Sequence, residues 1–242
     1  MKNKKPLEFK TGTDLTNDLH FIGTNFAAYE SRVDPDIEMT LVSASVAAIN
    51  SDDSRIAGVL VDWISIHQSR IDVDRLTQFI NSLDEKEYKF VRIFWCANAQ
   101  RFLNSDFRFK RLAEIYKGPR VDLADRNASP GSRGVTEMFI KMRDEDERFL
   151  STCIRIPKKY FSHRPEQIHE PKWIAKTHMG FRYRVMFGPS YRADIWAYLR
   201  RNPDLTAYRL SKFVGCSTTT ALRVKHDYEI VKRDYSNRGG AA

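Results

Sequence analysis

A single glycine, Gly215, separates two helical repeats near the C-terminus and restricts what the last forty or so residues can fold into. Before it, Ala207–Val214 reads as a short helix with Leu210 and Val214 inward and Thr206 placed to cap it. After it, a helix beginning at Ser217 carries Ala221, Val224, Tyr228 and Val231 at i, i+3, i+7 and i+10, a stripe that packs inward. A tight turn between two steeply crossing helices needs a residue that tolerates positive φ, and glycine does so without strain. Ser211, four positions earlier, is small enough to let the two helices approach, and Ser217 can accept from the first free N–H groups of the following helix. That leaves Thr218, Thr219, Leu222, Arg223, Lys225 and His226 facing outward. A third helix, Tyr191–Arg201, precedes the pair, with Ser190 as its cap, Tyr191, Ile195, Trp196 and Leu199 available to a core, and Asn202-Pro203 as its stop.

The formal net charge is +9, and its position matters more than its size. Residues 1–157 carry 23 Lys+Arg against 24 Asp+Glu, whereas residues 158–242 carry 17 against 7. A neutral body with a basic end is the electrostatic footprint of a polyanion partner.

The first part of the chain reads as a helical bundle. Asp36–Asn50 is a small-residue helix suited to close packing, and Ser54–Gln68 places Ile56, Val59, Leu60, Trp63 and Ile64 on one stripe. Asp72 can cap a helix bearing Val73, Leu76, Phe79, Ile80 and Leu83. The run Phe90–Cys96 fits strand or helix, and its setting favours helix over Tyr88–Phe102. Phe107–Lys117 reads as a short helix, and the glycines and prolines from Lys117 to Gly134 as a loop. A helix follows with Val135, Met138, Phe139 and Met142 on one face; the acidic run Asp144–Glu147 at its end opposes the macrodipole and should fray it. Phe149–Ile156 alternates as a strand would, and the proline- and histidine-bearing stretch to Pro189 reads as a connection, with a short helix at Lys172–His178.

The expected class is therefore mainly α: a bundle-like body (1–157), a connecting segment (158–189) and a three-helix C-terminal domain (190–242) with no wing. No apolar run approaches the roughly 18–20 residues that span a bilayer, and the basic N-terminus lacks the apolar stretch of a signal peptide. Three widely spaced cysteines (Cys96, Cys153, Cys216) suggest neither disulfides nor zinc, which fits an intracellular setting. His163, His169 and His178 match no metal-ligand spacing, and Asp62, Asp72, Asp74 and Asp106 read as caps or solvated helix faces. No phosphate-cradling loop, HExxH or Gly-x-Ser-x-Gly occurs. The expectation is a non-enzyme with no catalytic residues, metal or cofactor.

The stretch Ser211-x-x-x-Gly215-x-Ser217-x-x-Thr220-Ala221-x-Arg223-Val224 resembles the helix-turn-helix of bacterial transcriptional regulators, including lactose-repressor-type proteins. The likeness covers Thr206–His226; Ser211 stands for the commoner alanine and Ala221 for a larger aliphatic. It implies a recognition helix in the major groove of double-stranded DNA, with Ser217, Thr218 and Thr219 at phosphates and base edges. Arg223 would read guanine or hold a phosphate, and Leu222 would touch a thymine methyl. His226 and Lys225 belong to the same outward face, and Lys232 and Arg233 add charge further along. Arg192, Arg200, Arg201, Arg209 and Lys212 would contact the DNA backbone. The implied role is sequence-specific transcription regulation at the nucleoid, with residues 1–157 free for a homodimer or a heterologous partner. More faintly, the body followed by Arg192-Ala-Asp-Ile-Trp-Ala-Tyr-Leu199 is similar in layout to proteins encoded beside nucleotidyltransferase toxins. That likeness implies the alternative of an antitoxin or phage-defence component that holds a partner through its body.

Overall fold

The computed structural model describes residues 7–27, 34–127 and 134–238. The chain is mainly α-helical and divides into two compact units, 1–169 and 170–242.

The first unit is organised around α2 (Ile37–Asn50), in which Leu41, Val42 and Ala44 are fully buried. Its small residues allow close approach on several sides, and it packs against α1 (Gly12–Phe21), α3 (Ser54–His67), α4 (Val73–Ser82) and α5 (Lys89–Phe102). The ambiguous run Phe90–Cys96 is thus helical. The two buried tryptophans keep their indole N–H groups satisfied: Trp95 donates to Ser45 Oγ (2.9 Å) and Trp63 to the Ile22 carbonyl (2.8 Å). Three aspartates start helices, Asp72 among them as expected. Asp36 accepts from the Met39 N–H, Asp53 from those of Arg55 and Ile56, and Asp72 from that of Arg75.

Several local expectations are corrected. The helix expected over Phe107–Lys117 shortens to a 3₁₀ turn, Phe107–Phe109, and α6 (Lys110–Ala113). The strand expected over Phe149–Ile156 reduces to β2 (Ile154–Arg155), paired in parallel with β1 (Val121–Asp122). Part of the loop before Gly134, residues 128–133, lies outside the described residues. Val135, Met138 and Met142 of α7 (Val135–Arg143) do share a face, but it is turned to solvent. The acidic run beyond α7 is not left to oppose a helix end: Glu145 pairs with Arg120, and Asp146 with Arg148.

The boundary also moves. Residues 158–169 belong to the body, because Phe161 and Ile168 are buried there and Ile168 bridges Thr24. A Cβ at Gly58 would lie 2.5 Å from the Ser162 carbonyl oxygen, so only glycine lets this strap lie on α3. Asp62, one turn further along α3, is neither a cap nor a solvated face. It is 2% exposed and accepts from the Arg164 N–H (2.6 Å) and from His163 Nδ1 (2.7 Å).

The second unit contains five helices among its described residues: α8 (Pro171–Thr177), α9 (Met179–Phe187), α10 (Tyr191–Arg201), α11 (Ala207–Val214) and α12 (Thr218–Arg238). The expected three-helix domain is therefore extended backward from Ser190, since Ile174 and Phe181 supply two more buried anchors. The short helix expected at Lys172–His178 is α8, with Pro171 in its first turn, whereas α9 is not among the expected elements; it starts at His178, whose Nδ1 accepts the Phe181 N–H. The expected tail from Asp234 is helical as far as Arg238, and 239–242 lie outside the described residues. Arg184 of α9 and Asp194 of α10, both buried, form a bidentate pair (Nε–Oδ1 2.9 Å, Nη2–Oδ2 3.0 Å).

Removing one partner of such a pair strands the other as a buried charge, at a cost of about 3–5 kcal/mol. Asp194→Ala should lose that much in urea denaturation of the full chain, and the double variant Arg184→Met/Asp194→Leu should recover most of it. A double variant no better than the single one would show that a stranded buried charge is not the source of the loss.

His67 predicts an acid sensitivity. It is fully buried against Trp63, its Nε2 donates to the His169 carbonyl (3.1 Å), and burial lowers its pKa to about 4. Because the unfolded imidazole takes up a proton near pH 6.5 and the folded one only near 4, the unfolded state binds more protons between those values. Stability should therefore fall as pH drops through that window, by up to about 3 kcal/mol. Melting curves from pH 7 to 4 should show a shallower decline in His67→Phe; parallel declines would exclude His67 as the responsible group.

Candidate nucleic-acid interface

The geometry from α10 to α12 follows from a few local devices. Asn202 ends α10, and its Oδ1 accepts the Asp204 N–H (3.2 Å) just beyond Pro203. Leu205 drops into the core, and Thr206 Oγ1 accepts the Arg209 N–H (3.2 Å) to start α11. Gly215 closes α11 at φ 73°, ψ 27°, with open space where a Cβ would stand, so the conformation alone requires glycine there. Ser211 is buried; its hydroxyl donates back to the Tyr208 carbonyl (2.8 Å) and meets Thr218 Oγ1 (3.3 Å) across the turn. Ser217 Oγ accepts the Thr220 N–H (3.0 Å) as the cap of α12. Ser190 stands at the start of α10, but its side chain makes no capping bond.

Ile195, Leu199, Leu205, Leu210, Val214, Ala221, Val224 and Tyr228 form one core beneath this turn. Trp196 meets Tyr228 edge-on, with ring centroids 5.3 Å apart. Val231, expected inward, is 37% exposed, because this core ends at Tyr228 while α12 runs on.

The outward residues do not all stand alike. Thr219, Leu222, Arg223 and His226 line one open groove with Thr206 and Ala207 at the start of α11. Leu222 is 60% exposed, unusual for a leucine with a core beside it. Ser217 and Thr218 are exposed at the head of α12, their hydroxyls already engaged as described. Lys225 is drawn in: its Nζ donates to the Leu205 carbonyl (2.9 Å) and lies 3.9 Å from Glu229. Glu229 itself borders the groove, an acidic residue that the outward pattern of α12 had not singled out although it lies three positions after His226.

Arg192 is committed elsewhere, pairing with Asp227 at 2.7 Å. Arg209 and Lys212 are exposed on α11, with the Lys212 ammonium 5.4 Å from the Tyr208 ring centroid. Arg200 and Arg201 occupy the last turn of α10, where a helix C-terminus favours cations whatever else they do. Lys232 is exposed on α12, and the Arg233 side chain lies outside the described residues.

Among the described residues no group of three or more His, Cys, Asp or Glu is placed to hold a metal ion, and no helix is long and apolar enough to cross a membrane. The chain matches no protein-family model, no curated protein and no solved structure.

Placing a Cβ at the left-handed position costs roughly 1–2 kcal/mol. Gly215→Ala should show that loss in chemical denaturation, and Gly215→Asn a smaller one, because Asn visits this region more readily. Equal stability in all three chains would remove the conformational argument for the glycine.

Proposed function

We propose that the chain binds double-stranded DNA through α12, with α11 across the turn, as a helix-turn-helix regulator of transcription. The observation that carries this reading is the single face on which Thr219, Leu222, Arg223 and His226 stand exposed beside the capped start of α11. Its residue types suit base edges: a guanidinium for guanine, an exposed leucine for the thymine methyl, hydroxyls for phosphate. The charge supports it too, since residues 170–242 carry 14 Lys+Arg against 6 Asp+Glu. Arg209 and Lys212 then set register on phosphates, whereas Arg192 and Lys225 act within the fold. The basis is local: α12 enters the groove with its N-terminal turns, and Glu229 marks where the contact surface ends.

Fluorescence anisotropy of the full chain on labelled duplexes tests this, after selection from a random pool. Affinity should fall steeply between low and moderate salt. Arg223→Ala should cost about 1–3 kcal/mol on the selected duplex and little on a scrambled one if it reads a base. Arg209→Ala should weaken both alike. Salt-independent binding, or a selected pool with no preferred sequence, would refute sequence-specific recognition.

A further inference from the structure

Outside α10–α12, a second built polar arrangement is centred on Asp62. Gly58 and Asp62 lie one turn apart on α3, and the missing side chain of the first admits the strap that carries His163 to the second. The buried carboxylate is fully used: Oδ2 takes the Arg164 N–H (2.6 Å), Oδ1 takes His163 Nδ1–H (2.7 Å), and Arg148 Nη1 stands 3.4 Å away. Arg148 is braced in turn, bidentate on Asp146 and donating to the Phe161 carbonyl (3.1 Å). A carboxylate that fixes Nδ1 as donor sets the ring's orientation and leaves Nε2 as its second functional nitrogen. The imidazole is 65% exposed while its partner is 2% exposed, so the dyad has a buried anchor and an open end.

That open end borders a cleft of about 610 Å³ whose wall includes Arg148, Lys158, Lys159, His163 and Arg164. Lys158 is taken up by Glu147 (3.1 Å), but neither Lys159 nor Arg164 forms an ion pair among the described residues. The volume suits a small ligand.

We propose that this cleft is a binding site for a small phosphomonoester, whose dianion is held by His163 Nε2, Lys159 and Arg164. For Nε2 to donate while Nδ1 donates to Asp62, the ring in the complex must be the imidazolium. Asp62 from α3, Asp146 and Glu147 from the facing turn, and Arg148, Lys158, Lys159 and Arg164 are the charges around that ring. A small dianion fits better than a nucleic-acid strand for two reasons. Asp146 and Glu147 occupy the same wall, and residues 1–169 are nearly neutral, with 26 Lys+Arg against 25 Asp+Glu. This site is independent of duplex binding.

Calorimetry of the full chain with inorganic phosphate and with adenosine monophosphate tests the proposal, at fixed ionic strength and in buffers of different ionisation enthalpy. Saturable one-to-one binding is expected in each buffer. His163→Gln and Lys159→Ala should each weaken binding at least roughly tenfold, and Arg223→Ala should leave it unchanged. A purely structural dyad would lower the melting temperature of His163→Gln without any phosphate response in the wild type, and that result overturns the proposal. If His163→Gln does not fold, the Nε2 resonance of His163 in the wild-type ¹H–¹⁵N spectrum decides. A saturating shift with phosphate supports the site, and an unmoved resonance refutes it. Duplex DNA displacing the ligand in the Arg223→Ala chain would assign the cleft to nucleic acid instead.

Discussion

A buried guanidinium must keep its carboxylate, and both units of this protein are arranged around that constraint. Arg75, buried among Asp36, Glu38 and the capping Asp72, and Arg184, clasped by Asp194, are the buried cases; the half-buried Arg148 joins Asp146 to the buried Asp62. Against an apolar replacement of equal volume such pairs are near neutral in net stability, because desolvation cancels much of the Coulombic gain. Their effect lies in excluding alternatives, since any packing that separates the partners leaves a charge without water or counter-charge. Pairs like Arg148–Asp62 thereby fix the position of a strap that hydrophobic burial alone, through Phe161 and Ile168, would hold less specifically.

The same constraint divides what was legible in the sequence from what was not. Helices α2 to α4 and the turn around Gly215 are written in local terms: apolar period, an aspartate or threonine three residues before the N–H it caps, a glycine where φ is positive. Asp62 shows the opposite case. Its partners His163 and Arg164 lie about a hundred residues away, so nothing beside it in the sequence distinguishes it from a solvated aspartate. The stretch 158–189 misled for a related reason. Prolines and histidines suggest a connection, yet here Pro171 and His178 start helices, and Phe161, Ile168, Ile174 and Phe181 are single anchors six or seven residues apart, with no i+3 or i+4 partners to mark a helical face. Within the candidate interface, the inward set from Leu210 to Tyr228 follows the helical period. Val231 departs from it only because the period continues past the end of the core.

Net charge is a coarse guide to how a basic unit meets a polyanion, because only cations free of internal partners release counterions on binding. Of the basic residues in 170–242, Arg184 is consumed by Asp194, Arg192 by Asp227, and Lys225 by the Leu205 carbonyl and Glu229. Arg182 is spent on the carbonyls of Ala175 and Lys176 at the end of α8. Arg209 and Arg223, by contrast, form no ion pair among the described residues and lie on α11 and at the groove of α12. The 14 basic residues of the unit therefore overstate the number of cations free to meet phosphates. Among the cations that remain, Arg209 and Lys212 lie on α11 and Arg223 and Lys232 on α12, the two helices joined at Gly215. A conformational requirement at one residue, a positive φ that only glycine meets without strain, thus governs how the free cations of α11 and α12 are presented together.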